Sequence, residues 1–372
     1  KYGEQIRVYQ LDCLYRLFQI EDFSALLKDL KQEFIQQAAK TLNVKAKKPS
    51  VSTLLSRFQK IPEDEITEEQ KHYLYLLLKL ESIAANHFIN TGYYQKALKS
   101  LLFQYDLAKA LKDDLSLRIA SSGLGIVYTR MGNLDSAYKA YVEAISIADK
   151  ISDRFGFAKV LSDMATLHRR MGQHQEALDH FHRSLKIFES LGNLVFQGVV
   201  LHGIGEVYLQ EGRDTEALKY FRKALKIARQ SKDLFGISFE QDSIGDILFN
   251  SGKIADAKTQ YLKNLKLQQK IGDNEGIAHT YGNLGNVARM EKNLPLAIEY
   301  YTKNIKMTGE IGDKDGQGRG FYNLALVYED LQDMEKAIQS LHNALKCFTQ
   351  AGSVKFMELT KKRLQENLQQ NE

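Results

Sequence analysis

Apolar residues recur along this chain at spacings of three and four, which predicts a succession of amphipathic helices. Two apolar stripes of this kind run over residues 6–18 and 23–35. A shorter helix is predicted over residues 52–58, and Thr67 is placed to cap the helix that follows it. No segment favours a strand, so the sequence predicts an all-α fold.

From about residue 68 the pattern repeats with a period of forty residues. A turn glycine is followed five residues later by an alanine in five periods, and two further turns keep the alanine. These alanines are Ala97, Ala137, Ala177, Ala217, Ala257, Ala297 and Ala337. A fixed period of this length indicates a solenoid, whose units bury their apolar faces against one another. We expect seven repeats over residues 63–352, between an N-terminal helical extension (1–62) and a C-terminal capping helix (353–372).

Each period contains two predicted helices, A before the glycine turn and B after it. Helix A carries a small residue at one fixed place, namely Ala85, Gly125, Ala165, Gly205, Gly245, Gly285 and Ala325. Glycine inside a helix is about 1 kcal/mol less favourable than alanine, so its recurrence predicts close approach of a neighbouring helix. Helix B carries a bulky residue four positions after its alanine: Leu101, Tyr141, Phe181, Phe221, Tyr261, Tyr301 and Leu341.

The loop between repeats carries an Asp or Asn, often after a glycine, as in Gly272-Asp273 and Gly312-Asp313. The acid is suited to cap the next helix A, and the glycine is suited to end the preceding helix in a left-handed conformation. A calcium loop is not favoured, because neither loop carries the full run of oxygen ligands. We expect no metal and no cofactor.

Charge, cysteine content and the length of apolar runs disfavour several classes of function. The formal charge is only +5 over 372 residues, and the charges are interspersed, which does not favour a nucleic-acid surface. Cys13 and Cys347 lie far apart and predict neither a disulfide framework nor a metal site, as in a reducing compartment. No apolar run reaches the ~18 residues that span a bilayer, and no signal peptide is visible. We expect a cytoplasmic protein without a membrane span.

Catalysis is not favoured by the sequence. Four histidines fall in one repeat, at positions 168, 174, 180 and 182, but they are divided between a turn and two helices. His180 and His182 are two residues apart and face different ways on a helix. No phosphate-binding loop or paired nucleophile and base is apparent. We therefore expect that the protein is not an enzyme.

Specific motifs resemble a known family. Leu-Gly-x-x-Tyr at 124–128 and Ile-Gly-x-x-Tyr at 204–208, each followed by Gly-x-x-x-x-Ala and an aromatic residue, resemble tetratricopeptide (TPR) repeats. The unit here has forty residues and lacks the proline of the usual 34-residue motif. With Asn-Leu-Gly-Asn at 283–286 and Ile-Gly-Asp at 271–273, it most resembles Pins/LGN-type adaptors.

The resemblance implies a right-handed α-solenoid, the TPR superhelix of antiparallel helix pairs, whose A helices line a concave groove. Such a groove holds an extended or helical peptide, and the resemblance places these residues in it: His202, Glu206, Asp242, Asp246, His279, Asn283, Asn286, Arg289, Arg319, Tyr322 and Asn323. Asparagine amides can pair with a peptide backbone, and Arg289 and Arg319 are suited to clamp a carboxylate. We expect a non-catalytic scaffold or adaptor that binds a protein partner, not nucleic acid.

One alternative stays open at this point. Bacterial peptide-sensing regulators also place an N-terminal helical region before a TPR array. The chain would then be a signal-responsive regulator, in which a peptide sensed by the array controls residues 1–62. The sequence shows no helix-turn-helix signature in that region.

Overall fold

The computed structural model of the protein describes residues 23–44, 49–62 and 65–370, and this part of the chain contains seventeen α-helices and no strand. The predicted all-α repeat fold is confirmed. The stripe predicted over residues 6–18, with Cys13 in it, lies outside the described residues. The chain divides into two compact units, Lys1–Gly192 and Asn193–Glu372.

The described part of the first unit contains eight helices. They are α1 (Phe23–Thr41), α2 (Val51–Phe58), α3 (Glu68–Asn90), α4 (Tyr94–Ala110), α5 (Asp114–Arg130), α6 (Leu134–Lys150), α7 (Arg154–Arg170) and α8 (His174–Ser190). From α3 onward these helices alternate as helices A and B of successive repeats.

The described part of the second unit contains nine helices. They are α9 (Leu194–Gln210), α10 (Asp214–Gln230), α11 (Leu234–Asn250), α12 (Ile254–Ile271), α13 (Asn274–Met290), α14 (Leu294–Glu310), α15 (Lys314–Asp330), α16 (Met334–Ala351) and α17 (Val354–Gln370). The A helices of this unit are α9, α11, α13 and α15, and α17 packs on α16.

The N-terminal helices share a hydrophobic core with the first helix of the array. Phe34 of α1 and Leu54 of α2 are fully buried in one cluster with Leu77 of α3. Thr67 caps α3, accepting a hydrogen bond from the Gln70 backbone, and the Gln70 side chain accepts one from the Thr67 backbone. The short predicted helix and the predicted cap are therefore both present.

The loops between repeats have the predicted caps. The side chains of Asp113, Asp153, Asn193, Asp233, Asp273 and Asp313 each accept a hydrogen bond from the amide three residues later. Gly272 and Gly312, which precede two of these caps, have φ angles of 72° and 78°. Both glycines therefore end their helices in the left-handed conformation that the sequence predicted.

The recurrent glycine of helix A lies directly against the aromatic ring of its own helix B. A Cβ atom on Gly245 would lie 2.5 Å from Cε1 of Tyr261, and one on Gly285 would lie 2.6 Å from Cε1 of Tyr301. Gly125 and Gly205 stand in the same relation to Tyr141 and Phe221. The predicted close approach is confirmed, and its partner is an aromatic side chain sixteen residues further along.

Candidate functional site

Three adjoining cavities lie between consecutive A helices of the second unit. The first cavity, between α9 and α11, has a volume of about 140 Å³; the second, between α11 and α13, about 590 Å³; the third, between α13 and α15, about 640 Å³. Phe239 lines the first and the second, and His279 lines the second and the third. We call this row of three cavities the A-helix groove.

The third cavity brings together five of the predicted site residues: His279, Asn283, Asn286, Arg319 and Asn323. They converge because the forty-residue period places equivalent positions of α13 and α15 on one face. His279 is exposed, and Asn323 makes no hydrogen bond to another described residue. Both side chains are therefore available to a ligand.

The second cavity contains two carboxylates that the sequence also predicted, Asp242 and Asp246. Asp242 accepts hydrogen bonds from Gln268 (3.0 Å) and Thr280 (3.2 Å). Burial raises the pKa of Asp242 to about 6, while hydrogen bonding and the nearby His279 oppose the rise. Burial likewise raises the pKa of Asp246.

The first cavity is mainly apolar, and His202 lies at its edge. The Nδ1 atom of His202 is 3.1 Å from a carboxylate oxygen of Glu240, a buried residue whose pKa is raised by burial. The His202 ring packs between Phe221 and Phe239, at centroid distances of 5.0 and 4.7 Å. His202 is thus held in place by contacts within the protein. The apolar wall of the first cavity is left accessible.

Three predicted site residues, Glu206, Arg289 and Tyr322, line none of these cavities. Arg289 instead forms a two-point ion pair with Asp330, with Nε 2.5 Å from Oδ2 and Nη2 3.2 Å from Oδ1. This pair joins α13 to α15.

Arg319 lines the third cavity but is also paired. Its guanidinium contacts the Asp315 carboxylate and lies 5.1 Å from the centroid of the Phe356 ring. Both arginines of the predicted carboxylate clamp therefore bind carboxylates of their own chain. An incoming carboxylate would compete with Asp330 and Asp315, and the clamp stays a prediction.

Sequence reasoning missed an exposed apolar patch in the groove. Its members, Val195, Val199, Phe235 and Phe239, are each 53–62% exposed. One signal was available: the equivalent positions of the next two repeats are polar, with Glu275 and His279 in the same places on α13. Exposed apolar side chains at positions where other repeats carry polar residues indicate a binding surface.

The histidine-rich repeat of the first unit has a packing role. His168 is buried, its Nδ1 atom is 2.7 Å from Gln173 Oε1, and its ring stacks on His180 at 5.1 Å.

Across the described ranges, no group of three or more His, Cys, Asp and Glu side chains is placed to hold a metal ion. No helix in those same ranges is long and apolar enough to cross a bilayer.

Family models confirm the repeat type. A tetratricopeptide repeat model matches residues 156–230 and 241–308, and a second one matches residues 318–350. A model of anaphase-promoting complex subunit 5 matches residues 83–170. No curated protein matches the chain. The chain contains tetratricopeptide repeats.

Solved structures share this fold over nearly the whole chain. Aspartyl phosphate phosphatase F from Bacillus subtilis is 15% identical with a TM-score of 0.59, and the match covers 92% of this chain and 93% of that one. The apo form of RapI is 16% identical with a TM-score of 0.59, covering 92% and 98%. A Rap protein complexed with Competence and Sporulation Factor is 13% identical with a TM-score of 0.55, covering 99% and 98%. Identities this low show the fold alone, and nothing in these comparisons supports the likeness to Pins/LGN-type adaptors.

Proposed function

We propose that the protein is a non-catalytic interaction module that binds a linear segment of a partner protein along the A-helix groove. The observation that carries the proposal is the row of three adjoining cavities, which contains eight of the eleven predicted site residues. A row of cavities along one face suits an elongated ligand better than a compact one.

The dimensions of the groove suit an extended peptide. Packed helices lie about 8–10 Å apart, and an extended chain rises about 3.3 Å per residue, so each interval between neighbouring A helices corresponds to about three residues. A segment that crosses α9, α11, α13 and α15 is therefore about nine residues long. The amides of Asn283 and Asn323 can donate to and accept from such a backbone.

The structural comparisons support a binding function. A Rap protein with this fold is solved in complex with Competence and Sporulation Factor, so this arrangement of helices holds another molecule in at least one protein. We extend to this chain only the capacity to bind, because the shared identity is 13%.

One observation favours the regulator as a second candidate. Lys31 of α1 forms an ion pair with Glu81 of α3, whose side chain is fully buried. Breaking a pair whose acid is buried is unfavourable, so this contact holds α1 on the array. In the regulator, a bound peptide would act by shifting the balance between docked and undocked α1. Hydrogen exchange of α1 tests this candidate: a groove-bound peptide that leaves α1 exchange unchanged contradicts it.

The test of the main proposal is a selection from a displayed library of random peptides of about nine residues, made on the full chain. Selected peptides should lose at least about tenfold in affinity for the double variant His279→Ala/Asn323→Ala. The matched control is His342→Ala/Asn343→Ala on α16, away from the groove, which should bind as the wild type does. Equal affinity for both double variants contradicts the proposal.

A further inference from the structure

We propose that the partner segment is cationic and carries an apolar anchor. An Arg or Lys side chain enters the second cavity, and an apolar side chain enters the first. This inference rests on the proposed function and adds the chemistry of the ligand.

The second cavity carries uncompensated negative charge. Four carboxylates line it: Asp242, Asp246, Asp273 and Glu275. Asp242 and Asp246 accept hydrogen bonds from neutral side chains, and Asp273 caps α13. Among the residues that line the cavity the only base is His279, and no Lys or Arg of the described chain forms an ion pair with any of the four. This local charge is opposite to the chain's net charge of +5.

Two exposed aromatic rings line the same cavity. Phe235 is 62% exposed and Phe239 is 59% exposed, and both lie on α11, the helix that carries Asp242 and Asp246. A cation over an aromatic face is attracted by the ring, and a guanidinium also forms paired hydrogen bonds with carboxylates. Aromatic faces together with acids favour a cationic side chain over a neutral or anionic one.

The first cavity fits one apolar side chain. Its volume of 140 Å³ is close to the ~150 Å³ of apolar cavities that bind benzene. Val195, Val199 and Phe239 form its exposed wall, and Ile227 of α10 lies beneath it. Covering this patch removes apolar surface from water, which is favourable.

Neighbouring cavities fix the spacing of the two side chains. They are one A helix apart, which is about 10 Å, and an extended peptide covers that distance in about two to four residues. The groove therefore recognises an apolar residue and a cationic residue separated by this interval.

An anionic segment fits the groove less well. Arg289 and Arg319, the arginines of the predicted carboxylate clamp, are paired with Asp330 and Asp315. A carboxylate would have to displace one of these acids, and its segment would also pass the four carboxylates of the second cavity.

Sequencing the peptides selected on the full chain tests the charge. The expected result is enrichment of Arg or Lys two to four residues from an aliphatic or aromatic residue. The variant Glu275→Lys should weaken binding of these peptides at least about tenfold, because it places a lysine beside the Arg or Lys of the peptide. Glu335→Lys is the matched control, since Glu335 is also exposed at the second position of its helix, α16, and it should bind as the wild type does.

Filling the first cavity tests the anchor. A Cβ atom on Gly198 would meet only Ile227, at 3.7 Å, so the fold accommodates a side chain at this position. Gly198→Leu places a side chain in the cavity and should weaken binding at least about tenfold. A peptide whose apolar residue is replaced by glycine should bind Gly198→Leu and the wild-type chain equally.

The outcomes separate this inference from the proposed function. Groove-dependent peptides that are neutral or acidic, or that bind Glu275→Lys unchanged, overturn the inference and leave the proposed function standing. Acidic peptides that depend on Arg289 and Arg319 would establish the carboxylate clamp instead. A selection that enriches no groove-dependent peptide overturns both.

Discussion

The Tyr261 hydroxyl donates a 2.7 Å hydrogen bond to Oδ1 of Asp246, the same oxygen that accepts a 2.8 Å bond from Asn283 of the next A helix. The Tyr261 ring packs over Gly245, one residue before Asp246. The side chain that joins the two helices of a repeat thus also fixes a carboxylate in the groove. One period later the Tyr301 hydroxyl donates in the same way to Oδ1 of Asn286, at 2.6 Å.

Removing this hydroxyl should destabilise the second unit. Tyr261→Phe takes one donor from a half-buried carboxylate, and a hydrogen bond to a charged group contributes about 1.5–3 kcal/mol. We expect a loss of that order in the free energy of unfolding, measured by urea denaturation. The control is Tyr300→Phe, a half-buried tyrosine whose hydroxyl forms no bond within the described chain. Equal losses for the two variants would contradict this role of the hydroxyl.

The close approach at Gly245 predicts that alanine substitutions at Gly245 and Gly198 change the stability in opposite directions. Gly245→Ala should destabilise by about 1–3 kcal/mol, because its Cβ would overlap the Tyr261 ring, which is fixed at both ends. Gly198→Ala meets no such contact and should stabilise by up to about 1 kcal/mol through helix propensity. Thermal unfolding of both variants checks the difference. A stabilised Gly245→Ala would show that the Tyr261 ring moves to accommodate the Cβ atom.

The repeat fold was predictable because every period carries the same few constraints. The small residue of helix A, the alanine after the turn and the Asp or Asn cap each have one physical cause, and each recurs at forty residues. The spacing alone therefore defined the helices and their order.

The groove was predictable only in part. His279, Asn283 and Asn323 share a cavity because they occupy equivalent faces, which a period reveals. The pairing of Arg289 with Asp330 depends on the distance between two helix ends, which the sequence does not state. The apolar patch was missed because the resemblance directs attention to polar groove positions, whereas Phe235 and Phe239 are apolar.

The raised pKa of Asp242 predicts how stability depends on pH. An unfolded aspartate titrates near pH 3.9, whereas burial raises the pKa of Asp242 to about 6 in the folded protein. Between these values Asp242 holds a proton in the folded protein that it has lost in the unfolded chain, so its contribution to the free energy of unfolding falls as pH rises from about 4 to about 6.

Urea unfolding across this range should show a smaller fall for Asp242→Asn than for the wild type. The difference should be on the order of 1–3 kcal/mol, since one pKa unit corresponds to about 1.4 kcal/mol. Asp246 shifts in the same direction and its contribution remains in the variant. The control is Asp256→Asn at an exposed position of α12. An unchanged pH profile for Asp242→Asn would exclude Asp242 as the source.

The ion pair between Arg289 and Asp330 should be recoverable by exchanging its charges. Arg289→Asp and Asp330→Arg should each destabilise by about 0.5–1 kcal/mol, because each places like charges together on a partly exposed surface. The double exchange should recover most of the loss in a double-mutant cycle of unfolding free energies. Additive losses without recovery would show that the pair is not coupled.

The most direct measurement of the central claim is photo-crosslinking from inside the groove. A photoreactive residue at Ser243, which lines the second cavity, should crosslink to a selected peptide bound to the full chain. The same residue at Lys263, exposed on helix B of that repeat, should not. Mass spectrometry of the crosslinked fragments identifies both partners. Crosslinks from position 243 alone support a peptide-binding A-helix groove, and crosslinks from position 263 alone would contradict it.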